Sequence, residues 1–183
     1  MDAVTQGLAD ASLADAAIAD AGSNIVERPG INWYFLIPLT ILLFNIVNMI
    51  FGGVVVQART KYGIPYPTMY AVPGSPRYYD ESMKSSDQKS DTITEEEAFA
   101  FNNIQRGHQN CIENAPFFFA VLLAGSGTYP MIAGIAGLLY VIGRALYMYG
   151  YSLGPKQRYY GAFLIYPSLL TLFMLTGMRI VSL

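Results

Sequence analysis

Four side chains able to do chemistry crowd into FNNIQRGHQNCIENAP, residues 101–116: Arg106, His108, Asn110 and Glu113. On a helix Arg106, Asn110 and Glu113 recur at i, i+4 and i+7 and share one face. Asn102, Asn103 and Gln109 fall within about 60° of that stripe, whereas His108 points about 160° away from Arg106 and cannot serve the same pocket. The run FFFAVLLAG follows at once, so the helix is expected to carry this stripe into a bilayer. A charged side chain near the centre of a membrane helix costs at least about 2.5–3.5 kcal/mol and therefore turns to protein or to a wet cavity. A salt bridge that only ties helices together is one reading; a site for a polar ligand is the reading favoured here. A second polar face lies in RALYMYGY, where Arg144, Tyr147 and Tyr151 stand at i, i+3 and i+7. With one His and one Cys the chain lacks the soft and nitrogen ligands of a zinc centre, and no metal is expected. Cys111, opposite the stripe, is expected to be a small packing residue.

The elements that must position these residues are membrane helices. Of the 183 residues 53% are hydrophobic and 13% charged, with a mean hydropathy of +0.33, too apolar for an ordinary soluble domain. A net charge of −2 without a basic cluster gives no footprint for nucleic acid. The spacing predicts helices over 33–58, 95–124, 130–153 and 159–181, within a membrane domain covering 31–183. Trp33 and Tyr34 sit where an interfacial aromatic belt belongs. Asn45 and Asn48 are expected to face other helices, because lipid cannot satisfy an amide. Thr94 with Glu97 three residues on reads as a capping box that opens the second helix. The turn GSGTYP is too short for anything but antiparallel neighbours. An all-α integral membrane protein, a four-transmembrane-helix antiparallel bundle, is the expected fold.

Two segments stand apart. Residues 1–30 form an Ala/Asp-rich tail with a loose repeat, LADAS, LADAA, IADAG, whose period of five matches neither helix nor strand. It has neither the Arg of a mitochondrial presequence nor the positive start of a secretory signal, and a weakly helical or disordered tail is expected. The polar loop 63–94 opens with Pro65, Pro67, Pro73 and Pro76 and continues as a mixed-charge stretch expected to be solvated. Basic residues gather in the loops after the first and third spans. The positive-inside rule then puts those loops in the cytosol and both termini on the opposite side.

The segments ARTKYGIPYPTMY, FNNIQRGHQNCIENAP and VIGRALYMYGY carry a resemblance. Over roughly 44–180 the chain resembles the membrane-associated eicosanoid and glutathione metabolism (MAPEG) family, with the type 3 microsomal glutathione transferases as the nearest branch. The tail and most of the stretch 73–98 have no counterpart there. The resemblance implies a homotrimer, with glutathione as co-substrate between neighbouring subunits near the cytosolic surface. By motif position Arg106, Asn110, Glu113, Tyr147 and Tyr151 would contact glutathione from one subunit. Arg59 and His108 would reach in from the neighbour, and Arg158 falls where the family places the arginine that activates the thiol. Thr60 stands where some relatives have a second arginine or a lysine, with Lys61 beside it. Asn114 stands where the leukotriene C synthase branch has a tyrosine. Both departures bear on lipid-conjugating specificity more than on glutathione binding.

The residue types suit that ligand. Arginine forks match the two carboxylates of glutathione, and Glu113 can pair with its ammonium or with Arg144. The thiol reacts as thiolate, and a nearby cation lowers its pKa; guanidinium keeps its charge in an apolar setting, which favours Arg158 over Lys156. The function implied is a glutathione-dependent membrane transferase or peroxidase acting on lipophilic electrophiles or lipid hydroperoxides, in an endoplasmic reticulum or mitochondrial membrane. The alternative is a non-catalytic scaffold, or an accessory subunit of a larger membrane complex docked through the tail and the stretch 73–98.

Overall fold

The computed structural model of the chain describes residues 31–78 and 92–182. The expected tail, 1–30, and the centre of the polar loop, 79–91, lie outside the described residues. From Trp33 onward the chain forms one compact unit. A 3-10 turn, Trp33–Phe35, leads into α1 (Leu36–Tyr62), followed by α2 (Glu95–Ser126), α3 (Pro130–Leu153) and α4 (Tyr159–Val181). The described residues contain no strand beyond an isolated bridge between Pro76 and Thr92. Three helices are long and apolar enough to cross a membrane: α1 with its leading turn, α3 and α4. The other, α2, is polar over its first half.

Each helix boundary has a local cause. At 27 residues α1 is about 40 Å long, more than the hydrocarbon layer needs, so its last turn with Arg59 and Lys61 runs past the apolar run. It stops at Gly63, whose φ of 66° is left-handed and whose N–H returns to the Arg59 and Thr60 carbonyls. The capping box at Thr94 is present in both directions: the Glu97 N–H donates to the Thr94 hydroxyl, and the Thr94 N–H donates to the Glu97 carboxylate. Pro130 occupies the start of α3, where its missing N–H has no intrahelical role.

The core sits between the helices in the apolar half. Phe118 of α2 stacks on Tyr140 of α3 at 3.9 Å, and Phe44 of α1 packs on Phe118 at 5.5 Å. Leu122, Leu172, Ile165 and Met148 complete the cluster, with Cys111 buried among them. Two close approaches fix the placing of the polar residues. Gly161 of α4 lies against the Gly143 carbonyl and the Tyr147 backbone of α3, with no room for a side chain. Gly107 of α2 passes α3 so closely that a Cβ there would stand 3.2 Å from the Tyr151 Cβ.

The first part of the polar loop is ordered, which its four prolines did not suggest. Residues 63–78 fold back over the ends of α1 and α2, covering a second cluster of Ala58, Ile64, Ala71, Ile93, Ala98 and Phe101. Arg77 holds this flap. Its guanidinium is almost wholly buried, pairs with Glu97 and donates to the Tyr62 carbonyl at 3.2 Å. That bond to Arg77 is the chief reason the Glu97 carboxyl is held down at about 2. Asn45 turns outward from the chain and satisfies its amide N–H on its own helix, at the Ile41 carbonyl, 2.8 Å away.

Candidate functional site

The polar stripe of α2 meets α3 at Arg144. This arginine is 3% exposed; its Nη1 donates to Asn110 Oδ1 at 2.9 Å and its Nε to the Tyr140 hydroxyl at 2.8 Å. Among the described residues the ion pairs are Arg77–Glu97 and Arg106–Glu113, so no carboxylate stands against Arg144. A buried guanidinium without an anion is costly and leaves a positive potential in its surroundings. That potential faces a cavity of about 130 Å³ lined by Asn110, Asn114, Arg144, Tyr147 and one face of α4 that includes Tyr166. Because Asn110 Oδ1 is taken by Arg144, the amide is fixed with its N–H₂ end left to donate.

From this cavity a row of cations and rings runs to the α3–α4 connector. The Arg144 guanidinium lies 5.7 Å from the Tyr147 ring, and Tyr147 and Tyr151 stand 5.7 Å apart. The Arg158 guanidinium lies 5.8 Å from the Tyr151 ring and 5.7 Å from that of Tyr159. Hydrogen bonding with Tyr159, then the Tyr147 and Tyr151 hydroxyls nearby, raises the Arg158 pKa further, so its charge is secure. The tyrosine spacing does this work: i and i+4 on α3 present both rings to one side.

Arg106 and Glu113 flank Asn110 on the outer side of α2. They pair with each other at 3.1 Å and 3.4 Å while remaining 42% and 44% exposed. Glu113 thus meets Arg106 within the chain, and the alternative pairing with Arg144 is not formed. Asn102, though near the stripe, is spent on the flap, accepting from the Ala71 N–H at 2.7 Å and donating to the Ala71 carbonyl at 3.0 Å.

Arg59 and His108 lie elsewhere in the chain. Arg59 is buried under the flap, donates to the Thr68 carbonyl at 2.7 Å, and sits over the Tyr66 and Phe101 rings at 4.7 and 5.3 Å. It lines a larger cavity of about 460 Å³ with Thr60, Tyr66 and Tyr78. His108 faces α1, where a Cβ on Gly52 would stand 3.6 Å from its Nε2. The structure therefore gathers Arg106, Asn110, Glu113, Tyr147, Tyr151 and Arg158 on one side, and puts Arg59 and His108 on the α1 side. Arg144 is the residue that sequence reasoning left out of the site. Its signal was present, a lone charge in an apolar run on the same face as Tyr147 and Tyr151.

Comparison with known proteins bears on this arrangement. Residues 37–178 match the model of the MAPEG family, which covers all four helices almost end to end. The chain belongs to the MAPEG family. Human microsomal glutathione S-transferase 2 is 33% identical over 106 residues, which is 57% of this chain and 54% of that protein. The chain thus spans about half the length of this curated relative. Membership makes the apolar helices those of an integral membrane protein.

Proposed function

We propose that the chain is a glutathione transferase or peroxidase of the membrane, joining glutathione to lipophilic electrophiles or reducing lipid hydroperoxides. The observation that carries this reading is Arg144: a buried cation with no carboxylate partner among the described residues, bonded to Asn110 and open to a polar cavity. A scaffold has no use for an uncompensated charge that costs several kcal/mol; an enzyme for an anionic ligand does. Glutathione brings two carboxylates, an ammonium and a thiol. The exposed Arg106–Glu113 pair offers both signs of charge, and Arg158, at the end of the tyrosine row, is the cation assigned to the thiolate. Its charge lowers the thiol pKa and keeps the nucleophile ionised near neutral pH.

A tripeptide is larger than the 130 Å³ cavity of one chain. This supports a homotrimer in which Arg59 and His108 of a neighbouring subunit complete the site, with α2 as a fourth span whose polar half turns inward. The loops after α1 and α3 then lie on the cytosolic side, where glutathione is supplied, and the lipophilic substrate arrives from the bilayer. Titrating glutathione into the full chain in lipid nanodiscs tests the reading. Binding at millimolar concentration or tighter is expected, together with turnover of a lipophilic electrophile; absence of binding overturns it. Co-expressing Arg106→Ala and His108→Ala subunits tests the shared site. Mixed trimers regain some binding if two subunits build each site, and equal loss in every mixture overturns that arrangement.

A further inference from the structure

A second guanidinium without a carboxylate lies under the flap. Arg59, near the end of α1, is 8% exposed, and among the described residues no carboxylate pairs with it. Three groups hold it. Its Nη1 donates to the Thr68 carbonyl at 2.7 Å, and its guanidinium carbon lies 4.7 Å from the centre of the Tyr66 ring and 5.3 Å from that of Phe101. Phe101 is wholly buried in the cluster beneath the flap, whereas Tyr66 is 70% exposed. Tyr66 and Thr68 belong to one turn, closed by the Thr68 N–H donating to the Pro65 carbonyl at 3.1 Å. The flap has anchors of its own on either side of this turn. The Tyr78 N–H donates to the Gly63 carbonyl at 2.9 Å, Asn102 bonds both the N–H and the C=O of Ala71, and Arg77 pairs with Glu97. Arg59, Thr60, Tyr66 and Tyr78 wall the cavity of about 460 Å³, a volume in the range of small-ligand sites.

We infer that the flap presets Arg59 as a receptor for a ligand carboxylate, with Tyr66 as its positioning residue: the ring holds the guanidinium at the cavity wall. The inference rests on the proposed reading of Arg59 as a glutathione contact. Its energetic logic is preorganisation. A long arginine side chain loses rotamer freedom when a ligand immobilises it, and a contact made beforehand removes part of that cost. The ring contact uses none of the five N–H donors of the guanidinium, and the Thr68 carbonyl takes one. Donors therefore remain for both oxygens of a carboxylate. A staple that only fastens the flap is the competing role, but Asn102 and Arg77 already fasten it, and a staple needs no cavity beside it. The effect belongs in binding and not in the chemical step, because Arg59 meets a carboxylate whose charge is the same in ground and transition states.

The test compares wild type, Tyr66→Leu, Tyr66→Phe and Tyr66→Trp as full chains in nanodiscs, each also in an Arg59→Ala background, by glutathione titration, steady-state kinetics and thermal melting. Tyr66→Leu removes the aromatic face and should raise the glutathione Kd and KM about two- to fivefold with kcat unchanged, the range for one partly exposed cation–ring contact. Tyr66→Phe keeps the face and should bind as wild type does. Tyr66→Trp, whose face attracts a cation most strongly, should bind as well or better. In the Arg59→Ala background the three substitutions should make no difference. If Tyr66→Leu also lowers the melting temperature, the Phe and Trp variants still decide, since affinity should then follow the aromatic face and not the stability. Wild-type Kd in Tyr66→Leu overturns the inference while leaving glutathione binding in place, and so does a loss in Tyr66→Phe as large as that in Tyr66→Leu. An equal loss with and without Arg59 also overturns it, since Tyr66 would then act through the flap alone. If wild type itself fails to bind glutathione, the functional reading falls and this inference falls with it.

Discussion

Replacing Arg144 by methionine separates a residue that holds helices together from one that serves a ligand. The side chain is 3% exposed and makes two side-chain bonds, to Tyr140 and Asn110. Losing two bonds from a charged donor costs about 1.5–3 kcal/mol each. Against this, the desolvation of a buried guanidinium that meets no carboxylate among the described residues, several kcal/mol, is relieved by an apolar side chain of similar length. Asn110 is only half-buried and can turn to water, which leaves the Tyr140 hydroxyl as the main unsatisfied group. The two sides nearly cancel, so stability should change by no more than about 2 kcal/mol, or about 8 °C in melting temperature for a chain of this size. Ligand binding has no such compensation. Without the cation the cavity loses its potential and Asn110 loses its fixed orientation, and glutathione affinity should fall at least about tenfold. Arg144→Lys keeps the charge but cannot reach both partners with a fork, and should fall between the two. Thermal melting and glutathione titration on the same nanodisc samples decide the matter. Wild-type affinity in Arg144→Met, or a collapse of the fold with affinity intact in the folded fraction, would refute the ligand role of Arg144.

Three further outcomes follow from other contacts. Arg158→Ala should leave glutathione Kd within about threefold of wild type but raise the bound thiol's pKa, so that thiolate absorbance at neutral pH is lost and the pH–rate profile moves upward; each tenfold loss of thiol acidity is about 1.4 kcal/mol. Full thiolate absorbance in that variant would transfer the role to Arg59 or Lys61. Glu97 has its carboxyl lowered from 4.5 to about 2 by Arg77, so its contribution is complete above pH 4.5 and is lost as pH falls toward 2. Glu97→Gln should therefore cost about 1–2 kcal/mol at neutral pH, allowing for the water that still reaches the carboxylate, and should flatten the acid limb of a melting profile taken between pH 5 and pH 2; parallel profiles would count against the flap anchor. Gly161→Ala would drive a methyl into the Gly143 carbonyl and Tyr147 backbone, forcing α3 and α4 apart at a cost of about 1–3 kcal/mol and disturbing the tyrosine row. Gly53→Ala, with nothing within 4 Å of the added Cβ, is the matched control and should be neutral or slightly stabilising.

Much of this protein is decided locally and can be read along the chain. Hydrophobic length defines α1, α3 and α4, because about 20 apolar residues have few other stable settings. The Thr94–Glu97 box, Gly63 and Pro130 mark helix ends through their own backbone chemistry, which is why these boundaries are legible without neighbours. The stripe of Arg106, Asn110 and Glu113 is legible for the same reason, since helical periodicity alone puts three residues on one face.

What periodicity cannot assign is the partner of each group. Glu113 had two candidate partners by sequence, and the side-by-side placement of α2 and α3 gives Asn110, not Glu113, to Arg144. Asn102 looks like a member of the stripe, yet the flap claims it at Ala71. Tyr70 carries no sequence signal at all, since its bond to Gln109 depends on a loop whose path is fixed by the Arg77–Glu97 pair, 20 residues apart along the chain. Sequence determined which segments enter the membrane and which faces are polar, because those follow from hydrophobicity and helix pitch. The pairing of buried polar groups was left to the tertiary structure, because it depends on distances of a few ångströms between helices, set by the close packing of Gly107 and Gly161.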